Sequence, residues 1–254
     1  MRQAQQKATV IRQECIATGI YSMWFETDLA AEAVPGQFFS IYLKDPSRLL
    51  PRPISICQIG KNRIRIVYRV AGEGTAQIST YRAGDRITVQ GPLGNGFPLQ
   101  DTDAMLIGGG IGIPPMLSLA KVLPGKKEIV LGYKNELFLM DEFGACSNAR
   151  VSIATEDGSF GTKGTVLDAI ASQGLRASVI YACGPLPMLR AVKAFAQKEN
   201  IPAFISMEER MACGVGACLG CVCHSTEADS HSMVNNKRVC KEGPVFDVKE
   251  VDLT

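Results

Sequence analysis

Three cysteines in the run M-A-C-G-V-G-A-C-L-G-C, residues 211–221, constrain this chain more than any other feature. Cys213, Cys218 and Cys221 stand in a C-x4-C-x2-C array, and Cys240, in R-V-C-K-E-G-P, supplies a fourth thiol further along. C-x4-C-x2-C followed by a distant cysteine is the plant-type spacing for a [2Fe-2S] centre, whose two irons take four such ligands. Gly214, Gly216 and Gly220 remove side chains between the thiols, so the loop can wrap closely and turn backbone N–H groups toward sulfur. Zinc also takes four cysteines, and buried reduced thiols are a third reading. Structural zinc usually draws on two short C-x2-4-C knuckles, whereas here Cys240 stands alone and the first gap is four residues of a glycine-rich loop. The spacing favours iron and sulfur and leaves zinc as the alternative. Cys223, two residues beyond Cys221 and outside the C-x4-C-x2-C array, is expected to be a non-ligand.

At 254 residues and 46% hydrophobic content the chain is long enough for two compact domains. Its net charge of +2 comes from interspersed charges, without the basic run that nucleic acid or an anionic membrane surface calls for, so neither partner is indicated. The first ten residues have no apolar core of a signal segment, and nowhere do 18 uncharged apolar residues run together. The expectation is a chain neither exported nor membrane-spanning, and its nine cysteines suit a reducing cytoplasm.

Three stretches with different rhythms follow. Residues 1–100 contain A-T-V-I-R, Y-S-M-W-F-E-T, Q-F-F-S-I-Y-L, R-P-I-S-I-C-Q-I, R-I-R-I-V-Y-R-V and R-I-T-V-Q, six β-branched and aromatic runs punctuated by glycine and proline. They predict a six-stranded antiparallel barrel. Residues 101–207 alternate short apolar strands (104–107, 128–133, 151–155, 178–182 and 203–206) with helical segments, including 114–122 and 186–198, which predicts a Rossmann-like parallel α/β domain. Residues 208–254 show no periodic pattern and carry the cysteine array, so they are expected to fold around their metal. The fold class is multidomain, β plus α/β.

L-I-G-G-G-I-G-I-P-P-M follows the first α/β strand and precedes a helix, putting Gly108, Gly109, Gly110 and Gly112 where a dinucleotide's pyrophosphate would meet helix N-terminal N–H groups. The strict G-x-G-x-x-G pattern fails at Ile113, and a tight strand-to-helix turn also takes glycine. A second turn, Cys183-Gly184-Pro185, emerges at the same carboxyl edge, where ligands bind. Cys183 taken alone reads as a small buried hydrophobe.

With R-P-I-S in the barrel, G-E-G-T after it, G-G-G-I-G-I-P-P opening the second domain and C-G-P closing it, the chain resembles the ferredoxin-NADP reductase superfamily over residues 8 to about 207. The resemblance implies FAD on the barrel and a nicotinamide dinucleotide on the α/β domain. Arg52 then corresponds to the residue that pairs with the flavin pyrophosphate, Ser55 to the one near flavin N5, and Pro53, Ile54, Val67, Tyr68, Arg69, Gly74 and Thr75 to further flavin contacts. Gly109, Gly110, Gly112, Gly184 and Pro185 correspond to dinucleotide contacts, with Cys183 near the nicotinamide. Arg48, Arg52 and Arg69 would give the barrel an electropositive edge.

The tail narrows the resemblance. M-E-E-R-M-A-C-G-V-G-A-C-L-G-C with V-C-K-E-G-P-V-F is similar to the electron-transfer subunits of type B dihydroorotate dehydrogenases over nearly the whole chain. That implies one FAD and one [2Fe-2S] cluster per chain, and a catalytic partner carrying FMN in a complex of two plus two. It implies electrons passing from the partner's FMN through the cluster and FAD to NAD, although glycine turns do not separate NAD from NADP. No acid-base dyad for a pyrimidine ring is apparent, and His224 and His231 are expected to be solvated loop residues. Rival readings are the flavin subunit of a sulfide dehydrogenase or of an NADH-dependent ferredoxin:NADP reductase, and a redox-sensing module without turnover.

Overall fold

The computed structural model describes residues 5–45, 47–228 and 233–253. The first six strands are β1 (Gln5–Ala17), β2 (Ile20–Glu26), β3 (Phe38–Tyr42), β4 (Arg52–Ile59), β5 (Arg63–Arg69) and β6 (Arg86–Leu93), closed into a barrel in the order β1-β2-β5-β4-β3-β6. All six lie on the β-branched runs read from the sequence. β1 is longer than expected because it serves two neighbours: Gln5–Thr9 pair with β6, and the chain then continues along β2 through two irregularities in register. Phe25, Phe39, Ile41, Ile56, Ile64, Ile66 and Tyr68 fill the interior. On β5 the period-two pattern puts Ile64, Ile66 and Tyr68 inside, yet Arg65 and Val67 on the outer face are buried too.

The covering layer is the α/β domain. After α1 (Glu73–Ser79) the chain runs β7 (Ala104–Gly109), α2 (Ile113–Val122), β8 (Lys127–Tyr133), α3 (Met140–Gly144), β9 (Ala149–Thr155), β10 (Thr162–Lys163), α4 (Val166–Gln173), β11 (Val179–Cys183), α5 (Leu186–Glu199) and β12 (Ala203–Ser206). β7 is flanked by β8 and β11, and every pairing from β10 through β12 is parallel. Val67 joins the apolar core of this domain. Arg65 donates to Ser22 Oγ at 2.8 Å and Gln58 Oε1 at 2.9 Å, and it meets Glu142 of α3 at 3.0 Å. A buried guanidinium with these partners satisfied can sit between the domains without an orphaned charge.

The tail forms β13 (Val222–His224), β14 (Asn236–Arg238) and β15 (Val245–Asp247). β13 and β14 make a small hairpin sheet, while β15 pairs antiparallel with β12 and extends the large sheet to the order β10-β9-β8-β7-β11-β12-β15. The tail therefore does not fold around a metal alone; it is built into the edge of the preceding domain. His224 lies on β13 rather than on a loop, with its side chain exposed, and His231 falls outside the described residues. No helix among the described residues is long and apolar enough to cross a membrane.

Asn95, just past β6, fastens the barrel to this tail. Its amide nitrogen donates to the carbonyls of Glu242 at 2.9 Å and Val245 at 2.8 Å, and its amide oxygen accepts from Val245 N at 3.0 Å. Three bonds at about 0.5–1.5 kcal/mol each predict that Asn95→Ala lowers the unfolding free energy by about 2–4 kcal/mol in a urea titration. Asn62→Ala, whose amide bonds an exposed Glu26, is expected to stay within about 0.5 kcal/mol.

Candidate cofactor sites

The cysteine loop has the shape its glycines permit. Gly214 and Gly216 take φ of +69° and +82°, which side chains rarely adopt, and so the backbone curls around the sulfurs. Cys213 Sγ accepts from Val215 N at 3.4 Å and Ala217 N at 3.2 Å, Cys240 Sγ from Gly216 N at 3.1 Å, and Cys221 Sγ from Cys240 N at 3.4 Å. Val239 N donates to Cys221 O at 2.9 Å, holding the Cys240 strand against the loop. Arg238, ion-paired with Glu242, donates to Gly216 O at 2.7 Å and braces the turn.

The Cys213 sulfur is in hydrogen-bond contact with Cys218 and the Cys240 sulfur with Cys221, and Cys213 and Cys240 also feel one another's charge. Burial pushes the Cys213 thiol up, but hydrogen bonds from Val215 N, the Cys218 thiol, Ala217 N and Cys218 N outweigh it and bring the pKa to about 6. Burial, then the bond to Cys221, raises Cys240 to about 12. No three ligand-type side chains among the described residues are grouped to hold one metal ion. Sulfurs met by backbone N–H groups, on a C-x4-C-x2-C loop with one remote cysteine, suit an iron-sulfur centre better than the paired short knuckles of structural zinc. Cys221 and Cys240 are buried and Cys218 is exposed. Cys223, on β13, is buried in the same apolar core that takes in Cys221 and Cys240, and burial raises its pKa to about 11.

A cleft of about 370 Å³ opens between barrel and α/β domain. Pro53, Ile54 and Ser55 of β4 and Val67, Tyr68 and Arg69 of β5 line one wall; Ile111, Met207, Glu208 and Met211 line the other. The Tyr68 side chain belongs to the barrel interior, with its hydroxyl on Gln13 Oε1 at 2.9 Å, leaving its main chain for the cleft. Arg52 lies outside that lining, with its guanidinium over Gly74, so closely that a β-carbon at 74 would overlap it. Its Nη1 donates to Leu50 O at 2.6 Å, leaving other donors for a phosphate. Thr75 is less available than its motif suggests, because its hydroxyl oxygen accepts from Ala71 N at 2.9 Å and Gly72 N at 3.2 Å and caps α1. Arg48 pairs with Glu73 and Asp45. These features fit a flavin: an apolar-walled slot, with a guanidinium seated on a glycine at its rim.

The two glycine turns meet backbone to backbone. A β-carbon on Gly112 would strike the Cys183 carbonyl and Gly184 N, and one on Gly109 would meet Pro185 Cδ at 3.2 Å. Gly110, at φ +53°, lies beside Arg69. The Cys183 side chain, however, is fully buried in the domain core, and burial pushes its pKa up. Its main chain borders the turn, and its thiol lies close to Ser206 and to the cleft-lining Glu208.

Glu208 was not anticipated. It stands two residues after β12, lines the cleft with Ser55 and Arg69, and its carboxyl is pushed up by burial, which Arg69 partly offsets. The signal was the acidic pair in M-E-E-R, placed between an apolar strand at the ligand edge and the cysteine loop.

Residues 208–252 match the family model described as the iron-sulfur cluster binding domain of dihydroorotate dehydrogenase B. The chain is 43% identical to the dihydroorotate dehydrogenase B (NAD(+)) electron transfer subunit of Geobacillus kaustophilus, over 98% of this chain and 99% of that one. It is 39% identical to the subunit of the same name from Shouchella clausii, over the full length of both. Among solved structures it resembles an NADH-dependent reduced ferredoxin-NADP oxidoreductase, at TM-score 0.86 and 28% identity over 97% of this chain and 90% of that one. A ferredoxin NADP+ reductase from Neisseria gonorrhoeae with bound FAD and NADP shares the fold, at TM-score 0.65 and 14% identity over 76% of this chain and 91% of that one. Carrying the cluster array, the flavin cleft and the paired glycine turns along an end-to-end match, the chain belongs to the family of dihydroorotate dehydrogenase B electron transfer subunits.

Proposed function

We propose that this chain conducts electrons from a dihydroorotate dehydrogenase catalytic subunit to NAD+ in pyrimidine biosynthesis, using one [2Fe-2S] cluster and one FAD. The observation that carries the reading is the pairing of four thiols, wrapped in backbone N–H groups, on a tail that shares a wall with the flavin cleft. When bound, the flavin exchanges electrons singly with the cluster and in pairs with the nicotinamide. The chain's own residues bind and orient. Cys213, Cys218, Cys221 and Cys240 hold the irons, Arg52 holds the flavin pyrophosphate, and Ser55 faces the reactive edge of the ring. Pro53, Ile54, Val67, Tyr68, Arg69 and Gly74 complete the flavin slot, with Thr75 shaping the turn beneath it. Gly109, Gly110 and Gly112 admit the dinucleotide, with Cys183, Gly184 and Pro185 forming the adjoining turn. Glu208 lines the cleft with Ser55 and Arg69, its carboxyl pushed up from its ordinary value by desolvation and held down in part by the Arg69 charge.

Residues 1–100 serve as the flavin unit, 101–207 as the nucleotide unit and 208–254 as the cluster unit. The partner carries FMN and assembles with this chain as two plus two in the cytoplasm. It docks where the cluster is nearest solvent: Cys218 is exposed, and the adjoining Leu219 shares a surface groove with Val222 and Val234, all exposed apolar side chains. The likeness to the ferredoxin-NADP oxidoreductase supports a second reading, in which the partner is a different flavoprotein and the same relay serves ferredoxin and NADP(H).

Three outcomes test the assignment. The purified chain is expected to reduce an artificial dye with NADH and to yield no orotate from dihydroorotate until its partner is added; orotate formation by the chain alone contradicts the reading. Cys240→Ala abolishes the visible iron-sulfur absorption and the bound iron, whereas Cys223→Ala retains both. Arg52→Ala removes a charge-assisted contact of about 1.5–3 kcal/mol, so FAD dissociation, followed by flavin fluorescence after dialysis, becomes roughly ten- to a hundredfold easier.

A further inference from the structure

Between the flavin cleft and the cluster loop lies one barrel side chain that neither site has claimed. On β3, Phe39 and Ile41 fill the interior, so the pleat turns Phe38 and Ser40 to the outer face. Phe38 borders the cleft, and so does Pro53, the residue opposite Ser40 on β4. Over Ser40 lies Gly214, the residue directly after Cys213: a β-carbon at 214 would stand 3.3 Å from Ser40 Oγ and 3.4 Å from Leu93 Cδ1. Ser40 is only 1% exposed, and its hydroxyl has no hydrogen-bond partner among the described residues. A sealed hydroxyl without an acceptor is unfavourable, and a methyl group in the same space would carry no such penalty. Tyr42, the next outward residue of β3, already bonds Gln90 at 2.8 Å, so the strand's neighbouring polar groups are satisfied and Ser40 is the exception. The loop residue lying over this hydroxyl, Gly214, is the chain neighbour of the proposed ligand Cys213.

Resting on the functional reading above, we propose that Ser40 is a positioning residue for the iron-sulfur centre: its hydroxyl donates to the Cys213 end of the loaded loop and thereby sets the centre's reduction potential. Gly214 permits this, since any side chain at its left-handed φ would hold the loop off the barrel. The sign follows from charge. Reduction adds one electron to a centre already negative from its thiolates, so a fixed O–H donor stabilises the reduced state more than the oxidised one and raises the potential. The proton stays on Oγ throughout, and only the electron moves.

The test is a potentiometric titration of the full chain with both cofactors bound, followed by EPR for the cluster and absorbance for the flavin, in wild type, Ser40→Ala and Ser40→Thr. Ser40→Ala is expected to shift the cluster midpoint to lower potential while the flavin couple in the same sample stays put, and Ser40→Thr, which keeps the hydroxyl, to hold the wild-type midpoint. Loss of iron from Ser40→Ala with retention by Ser40→Thr also supports the hydroxyl's role. Equal cluster midpoints in wild type and Ser40→Ala, or iron loss from both variants alike, overturn it. A wild-type chain that binds no iron would instead defeat the functional reading, and iron content measured beforehand keeps the two failures apart.

Discussion

One apolar core holds every electron-carrying part of this molecule in register. Phe38 and Leu93 enter it from the barrel, Ile107, Ile180 and Ile205 from the parallel sheet, and Cys221, Val239, Cys240 and Phe246 from the tail. Full burial of a side chain of this size contributes about 1.5–3 kcal/mol, so the joint among the three parts is as strongly driven as the interior of any one of them. Two of the proposed iron ligands are themselves members of that core. The loop that carries them cannot shift relative to the flavin cleft without exposing the same side chains that keep the barrel and sheet together.

Polar contacts then fix what apolar packing leaves loose. Hydrophobic burial is non-directional, and by itself it would allow the tail to slide along the sheet edge. The β15 ladder on β12 sets its register, and Asn95 sets it again from the barrel side, through bonds that reach only one pair of carbonyls. Between barrel and α/β domain the buried Arg65 plays the corresponding part, with Ser22, Gln58 and Glu142 each occupying a defined donor direction.

What the sequence made legible were features that declare themselves locally. The six barrel runs are rich in β-branched and aromatic residues between glycine and proline breaks, and the parallel strands are short apolar segments between helices; both patterns survive without knowledge of neighbours. The cysteine spacing is local too. α4 is equally legible, since Thr165 and Asp168 form a capping box and Gly174 closes the helix with a left-handed φ. The misses were tertiary. Nothing in V-F-D announces that β15 will leave the tail and join a sheet begun over a hundred residues earlier. Glu208 acquires its raised pKa only where the fold brings it into the cleft beside Arg69. Ser40 looks like any polar residue on the outer face of a strand until Gly214 covers it.

These placements give the cluster a dry side and a wet side. Cys221 and Cys240 face the shared core, next to the strand whose Phe38 borders the flavin cleft, whereas Cys218 and Leu219 stand at the surface. A centre that exchanges electrons with a partner needs one edge close to solvent and another close to its internal acceptor, and a loop of C-x4-C-x2-C plus one remote cysteine supplies both from a single turn. The remote ligand makes the difference. Because Cys240 comes from the far strand of the tail hairpin, fastened by Val239 N to Cys221 O, the loop is anchored on its buried side and left open on the other.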